Sequence, residues 1–169
     1  MTSIHDIFAK STDHVLIPRD ASSPVHFPSG TPDDLQKLFT AYQSIRVFAI
    51  PQESGAPRSN SLDLDPTFFE SMGKDMPPEY ESPEYEGYKS AYSLGCFGCG
   101  NVQLILDLSG DFPAYRLFCY YPIDPFEKNP ILSRSITDLL TGMLNAGADS
   151  DYIDTLIEEA EQDGSGNGG

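Results

Sequence analysis

A chain of 169 residues with an apolar fraction of 39% has room for one domain with a real core, and a Gly/Ser/Asp-rich tail with Pro-rich connections accounts for the apolar shortfall. Acidic residues outnumber basic ones 26 to 10, a formal charge of -16, so phosphate backbones and anionic lipid surfaces are repelled and a basic protein is the favoured partner. No segment approaches the roughly 18 consecutive apolar residues of a membrane span, and MTSIHDIFAK does not read as a secretory signal.

Residues Met1 to Gly30 predict a short helix near Ile4 to Lys10 followed by extended chain broken by Pro18, Pro24 and Pro28. Thr31-Pro32-Asp33-Asp34 is a helix start, with Thr31 as N-cap, Pro32 at the first helical position and two carboxylates at the positive end of the dipole. Leu35, Leu38, Phe39 and Tyr42 follow at offsets of three, four and seven, one apolar stripe on a helix to about Gln43. Arg46 to Ile50 then reads as a strand closed by Pro51, and Gln52 to Asn60 as a loop. Leu62, Leu64, Phe68, Phe69 and Met72 are apolar anchors around Pro66, which opens a short helix ending near Gly73.

From Lys74 to Gly87 the composition changes: Pro77, Pro78 and Pro83 oppose regular helix, while Asp75, Glu79, Glu81, Glu84 and Glu86 surround Tyr80 and Tyr85 in a surface loop. Tyr88 to Asp107 is a hairpin, turned by Gly95, Gly98 and Gly100 and carrying Val102, Leu104, Ile105 and Leu106 into a buried strand. Ala114 to Tyr121 is a further strand, stopped by Pro122 and Pro125. Ser135-Ile136-Thr137-Asp138 is a capping box in its Asp variant, opening a helix with Ile136, Leu139, Leu140, Met143 and Leu144 inward and Gly147 at its end. Asp149 to Asp163 holds seven acidic residues and no basic one, yet Tyr152, Ile153, Leu156, Ile157 and Ala160 recur at helical spacing. The terminal GSGNGG is coil.

Cys96-Phe97-Gly98-Cys99 has redox or half-zinc spacing, but zinc needs two more ligands, and Cys119, His5, His14 and His26 offer no companion pair. The three cysteines cannot all pair within one chain and fit a reducing, cytoplasmic setting as small thiols. GCFGCG lacks the Gly-Lys-Ser/Thr ending of a phosphate loop and leads into a strand, so no cofactor or metal is expected. A glycosidase-like carboxylate pair is allowed by numbers alone, which is no argument for one. The loop Glu79-Tyr80-Glu81 and Glu84-Tyr85-Glu86 combines rigid amphipathic rings with carboxylates, a surface suited to Lys and Arg of a partner. Its plain alternative is a solvated loop with tyrosines lying back on the core.

In the order of its features, Tyr88 to Asn145 resembles the C-terminal half of the SUKH superfamily, which includes bacterial immunity proteins and fungal cell-wall-assembly regulators. The residues that carry the likeness are SLGCFGCGNVQLILDLSG for the family's Gly-rich turn and strand, YRLFCYYPIDP for its next strand and SRSITDLLTGML for its closing helix, with Pro32 to Gln43 as its early helix. The chain departs from the family at Gln43-Ser44, where an Asn-Gly turn is frequent, at Asn101, where an acidic residue is frequent, and in having no tryptophan. The resemblance implies a single α+β domain, a mixed or antiparallel sheet flanked by helices, spanning 31–147. An irregular segment 1–30 would pack on it, and an acidic helix 148–163 and a flexible tail 164–169 would follow. It also implies a non-enzymatic protein that binds a cognate toxin, often a basic nuclease, with a regulatory or scaffold module as the other reading. Glu79, Tyr80, Glu81, Glu84, Tyr85 and Glu86 are the expected partner-binding residues, with Gly98, Gly100 and Asn101 shaping the neighbouring turn.

Overall fold

Seven strands form one antiparallel sheet in the order of the chain itself, each paired with the next, so the backbone meanders from one edge to the other. The computed structural model describes residues 4–9, 13–49, 60–66, 70–98, 101–120, 122–148 and 150–165. The strands are β1 (His14–Pro18), β2 (Tyr42–Val47), β3 (Leu62–Leu64), β4 (Ala91–Phe97), β5 (Val102–Asp107), β6 (Ala114–Cys119) and β7 (Ile131–Ser133). The α-helices are α1 (Ile4–Ala9), α2 (Asp33–Ala41), α3 (Ile136–Ala146) and α4 (Tyr152–Ser165). The architecture is α+β with the antiparallel form of the sheet; the helix expected near Ile4 to Lys10 is α1, and the extended chain that follows it within 1–30 supplies the first strand.

Period-two burial explains where β2 begins. Ile45 and Val47 are fully buried while Ser44 and Arg46 are not, and pairing with both β1 and β3 holds the alternation from Tyr42 onward. The helix therefore stops at Ala41, short of Gln43, and the chain enters the strand without a loop. The strand ends at Val47 instead of continuing to Ile50, because Phe48 takes a left-handed φ of 57° and turns its ring into the core. At the start of α2, Pro32 occupies the cap position that Thr31 was expected to fill. The Thr31 hydroxyl instead donates to the Pro28 carbonyl at 2.7 Å, and Asp34 accepts from the Leu35 N–H at 2.8 Å. Arg19 serves the other end of the helix, its guanidinium donating to the Phe39 and Tyr42 carbonyls left over by the last turn.

Two further expectations are corrected. Leu62 and Leu64, read as anchors of a helix near Pro66, are the inward residues of β3, a strand made by its neighbours β2 and β4; Phe68 and Phe69 lie outside the described residues. The proline-rich stretch read as a loop coils into 3-10 turns at Met72–Asp75, Pro78–Tyr80 and Pro83–Ser90. Pro78 and Pro83 open two of these, where a missing N–H costs nothing.

The expected hairpin is β4 and β5, with a register shift between Ser93 and Gly95. A Cβ at Gly95 would stand 1.8 Å from the Asp63 carbonyl oxygen, so glycine is what lets β3 approach β4 at this point. The expected loop residues 52–59, together with Cys99, Gly100 and the tail 166–169, lie outside the described residues.

All four helices pack on one face of the sheet. Phe8, Leu35, Leu38, Phe39, Ile136, Leu140, Met143 and Ile153 meet Ile45, Leu62, Leu94, Leu104, Leu106 and Tyr115 in the main core. Asp34 fastens α2 to α3 by accepting from the Ser135 hydroxyl at 3.2 Å and the Thr137 hydroxyl at 3.1 Å. The second face carries a smaller core of Tyr88, Ala91, Ile105, Phe118 and Phe126 beneath the 3-10 turns, which cover only part of it.

Candidate protein-binding face

Directly opposed residues of antiparallel strands share a face. The register joins Val15, Arg46, Asp63, Cys96, Gln103 and Phe118 into one cross-strand row over β1 to β6. Five steps of about 4.8 Å make the row about 24 Å long. It lies on the face away from the helices, because the residues alternating with it in sequence, Ile45, Val47, Leu62, Leu64 and Leu104, fill the helix-side core.

Two cavities open along this row and meet in the middle. The larger, of about 470 Å³, lies between Met72, Met76, Phe118 and Ile123, with Glu70 and Tyr120 also in its wall. The smaller, of about 340 Å³, is polar, lined by Arg46, Asp63, Asp65 and Cys96. Ser93 and Gln103 line both, and the Ser93 hydroxyl donates to the Gln103 side-chain oxygen at 3.0 Å, fixing the shared floor. The result is a trough with a thioether and aromatic end, a charged middle, and exposed Val15 and Ile17 beyond it on the edge strand.

The acidic turns follow directly in the chain from the larger cavity's wall. Met76 and Pro77 line the cavity, and the chain then continues into the turns that carry Glu79, Glu81, Glu84 and Glu86, all exposed. Lys89 pairs with Glu86 at 2.7 Å. Tyr80 and Tyr85 are half-buried members of a ring ladder: Tyr80 meets Tyr85 edge-on at 5.0 Å, Tyr85 stacks on Tyr88 at 6.4 Å, and Tyr88 meets Phe126 at 4.9 Å. The tyrosines thus lean back toward the core while the carboxylates point to water. Burial, then the Glu84 carboxylate, hold the Tyr85 hydroxyl above the ordinary tyrosine range, which keeps it a neutral donor. Gly98, with φ 50°, and Asn101 belong to the β4–β5 turn; the Gly98 N–H donates to the Ser61 carbonyl at 2.9 Å, and Asn101 reaches the site through Tyr120. The Tyr120 N–H donates to the Asn101 carbonyl at 3.1 Å, and its ring meets Phe118 at 5.8 Å. Gly100 lies outside the described residues.

Cys96 stands half-buried in the row, and burial followed by the Asp63 carboxylate pushes its thiol up, away from the thiolate a nucleophile requires. Cys119 is exposed on β6. Among the described residues no three His, Cys, Asp or Glu side chains are grouped to hold a metal ion, and no helix is long and apolar enough to cross a membrane.

A buried polar network that sequence reasoning passed over fixes the 3-10 turns to the sheet. Arg116, 6% exposed, donates through Nε to Asp107 at 2.8 Å, through one terminal nitrogen to the Asn129 carbonyl at 2.8 Å and through the other to Glu127 at 3.1 Å. Its guanidinium lies 4.9 Å from the centre of the Phe126 ring. The Asn129 amide donates to the Tyr88 hydroxyl at 2.7 Å, which itself donates to the Asp124 carbonyl at 2.8 Å. The only local signal was one arginine set among the apolar residues of AYRLFC.

Compared with family models, with curated proteins and with solved structures, the chain matches none.

Proposed function

We propose that this chain is a non-catalytic binding protein of the immunity type, which acts in the cytoplasm by covering the functional cleft of a basic, nuclease-type toxin. The observation that carries this reading is the exposure of Glu79, Glu81 and Glu84 on turns braced from beneath by the Tyr80, Tyr85 and Tyr88 ladder. A rigid support lowers the entropy lost on binding, and carboxylates kept in water steer a cationic partner at long range. The overall charge of -16 adds a field of the same sign. One further point favours binding over catalysis: the half-buried Cys96 thiol beside Asp63 is held away from its reactive form. The resemblance of Tyr88 to Asn145 to SUKH proteins points the same way.

The test is capture on the immobilised protein from its native cell at moderate salt, followed by co-expression of the captured basic protein with and without this chain. Relief of growth arrest by co-expression is expected. The triple variant E79K/E81K/E84K should slow association about 10-fold or more at low salt and flatten its salt dependence. Unchanged association kinetics in that variant, or growth arrest that co-expression does not relieve, would sink the reading.

A further inference from the structure

We propose that the trough on the sheet face opposite the helices is the docking site for a basic segment of the partner. An apolar side chain of that segment enters the cavity between Met72, Met76 and Phe118, and a lysine or arginine meets Asp63, Asp65 and Glu70. This rests on the reading of the chain as a binder of a basic protein, and it moves the main contact from the acidic turns to the sheet.

The row from Val15 to Phe118 gives the site its length: about 24 Å accommodates about seven extended residues or about four helical turns. Its chemistry gives the occupant. Three carboxylates, Asp63, Asp65 and Glu70, line the two cavities; Arg46 stands beside Asp63 and Lys74 pairs with Glu70, which leaves the lining net acidic through Asp65. Arg46 holds Asp63 only at 3.9 Å with both side chains more than half exposed, a pairing weak enough for a partner's cation to compete with. Met72 and Met76 supply flexible, polarizable walls that adjust to an incoming side chain, while the floor beneath them is fixed by the Ser93 to Gln103 bond. Tyr120, 44% exposed, lines the same cavity and meets the Phe118 ring edge-on. An anionic ligand would meet repulsion from this lining, and so would a second copy of a chain charged at -16.

The methionines provide the readout. The chain has four, of which Met72 and Met76 line the cavity and Met143, on α3, is buried in the core of the opposite face. Protein carrying 13C at the methionine methyls is titrated with a blocked pentapeptide of alternating leucine and arginine, then with the same peptide bearing glutamate for arginine. The arginine peptide should move the Met72 and Met76 signals and leave Met143 in place, and the glutamate peptide should move none. D63N/D65N/E70Q should weaken the arginine peptide about tenfold. Still Met72 and Met76 signals, an equal response to both peptides, or a neutralised variant with unchanged affinity overturns the proposal. The two readings fail separately. If the peptide seats in the trough but no basic toxin is captured, the trough stands and the immunity reading falls. If a toxin is captured and D63N/D65N/E70Q binds it as tightly as before, the immunity reading stands and the trough falls.

Discussion

Arg116 joins the covered half of the outer face to the sheet. Its side chain is buried with Asp107, and the charge of each is tolerable only because the other is 2.8 Å away and the remaining hydrogen bonds are met by Asn129, Glu127 and Ser109. Arg116→Ala leaves the Asp107 carboxylate buried without its cation, which should cost about 3–5 kcal/mol in urea unfolding. Arg116→Met combined with Asp107→Leu should recover most of that loss, because no lone charge then remains. An alanine variant as stable as the parent would show that the network contributes nothing. None of this was legible from the residues one at a time. Asp107 read as the end of a strand and Arg116 as one position in another, and what unites them is a register fixed by β5 and β6 pairing. The exposure of Glu79, Glu81 and Glu84 was legible, because prolines and charge together keep a segment at the surface. The ladder beneath them was not, since Tyr88 and Phe126 meet across 38 positions of chain.

At the level of elements, local chemistry and long-range pairing divide the outcome. α3 is written into the sequence: Ser135 accepts from the Asp138 N–H at 3.2 Å, and Gly147 ends the helix with a φ of 92°. Ser135 also donates to Asp34, so its hydroxyl serves the cap and the junction of α2 with α3 together. Ser135→Ala should therefore destabilise by about 1–2 kcal/mol, toward the upper end for a cap. Thermal unfolding checks this, and a loss under about 0.5 kcal/mol would mean that water replaces both bonds. β3 and β7, three residues each, carry too little pattern to be read, and they are strands because β2 and β4 on either side of the first, and β6 beside the second, supply hydrogen bonds. The same cause moved the start of β2 back to Tyr42, overriding a stripe that continued the helix by spacing alone. What the sequence hid about the trough follows from this. The row needs the register of six strands, two of which, β1 and β3, were not read as strands at all.

Over the whole molecule, folding and binding should respond to salt in opposite directions. A chain with 26 acidic and 10 basic residues repels itself when compact, and α4 adds exposed Asp154, Glu158, Glu159, Glu161 and Asp163 with no basic residue among them. Screening that repulsion stabilises the folded state, whereas among the described residues the ion pairs that salt would weaken, Arg46–Asp63, Lys74–Glu70 and Lys89–Glu86, are exposed and individually weak; the buried Arg116 to Asp107 pair is shielded from it. Raising NaCl from about 10 mM to 300 mM, which shortens the screening length from about 30 Å to below 10 Å, should lift the melting temperature by about 2–4 °C. The same change should slow association with a basic partner, because the long-range field that steers the encounter is the field being screened. A melting temperature that falls with salt would mean that specific ion pairs outweigh self-repulsion. The acidity would then be part of the fold's own stability, and would no longer stand as a surface kept ready for an opposite charge.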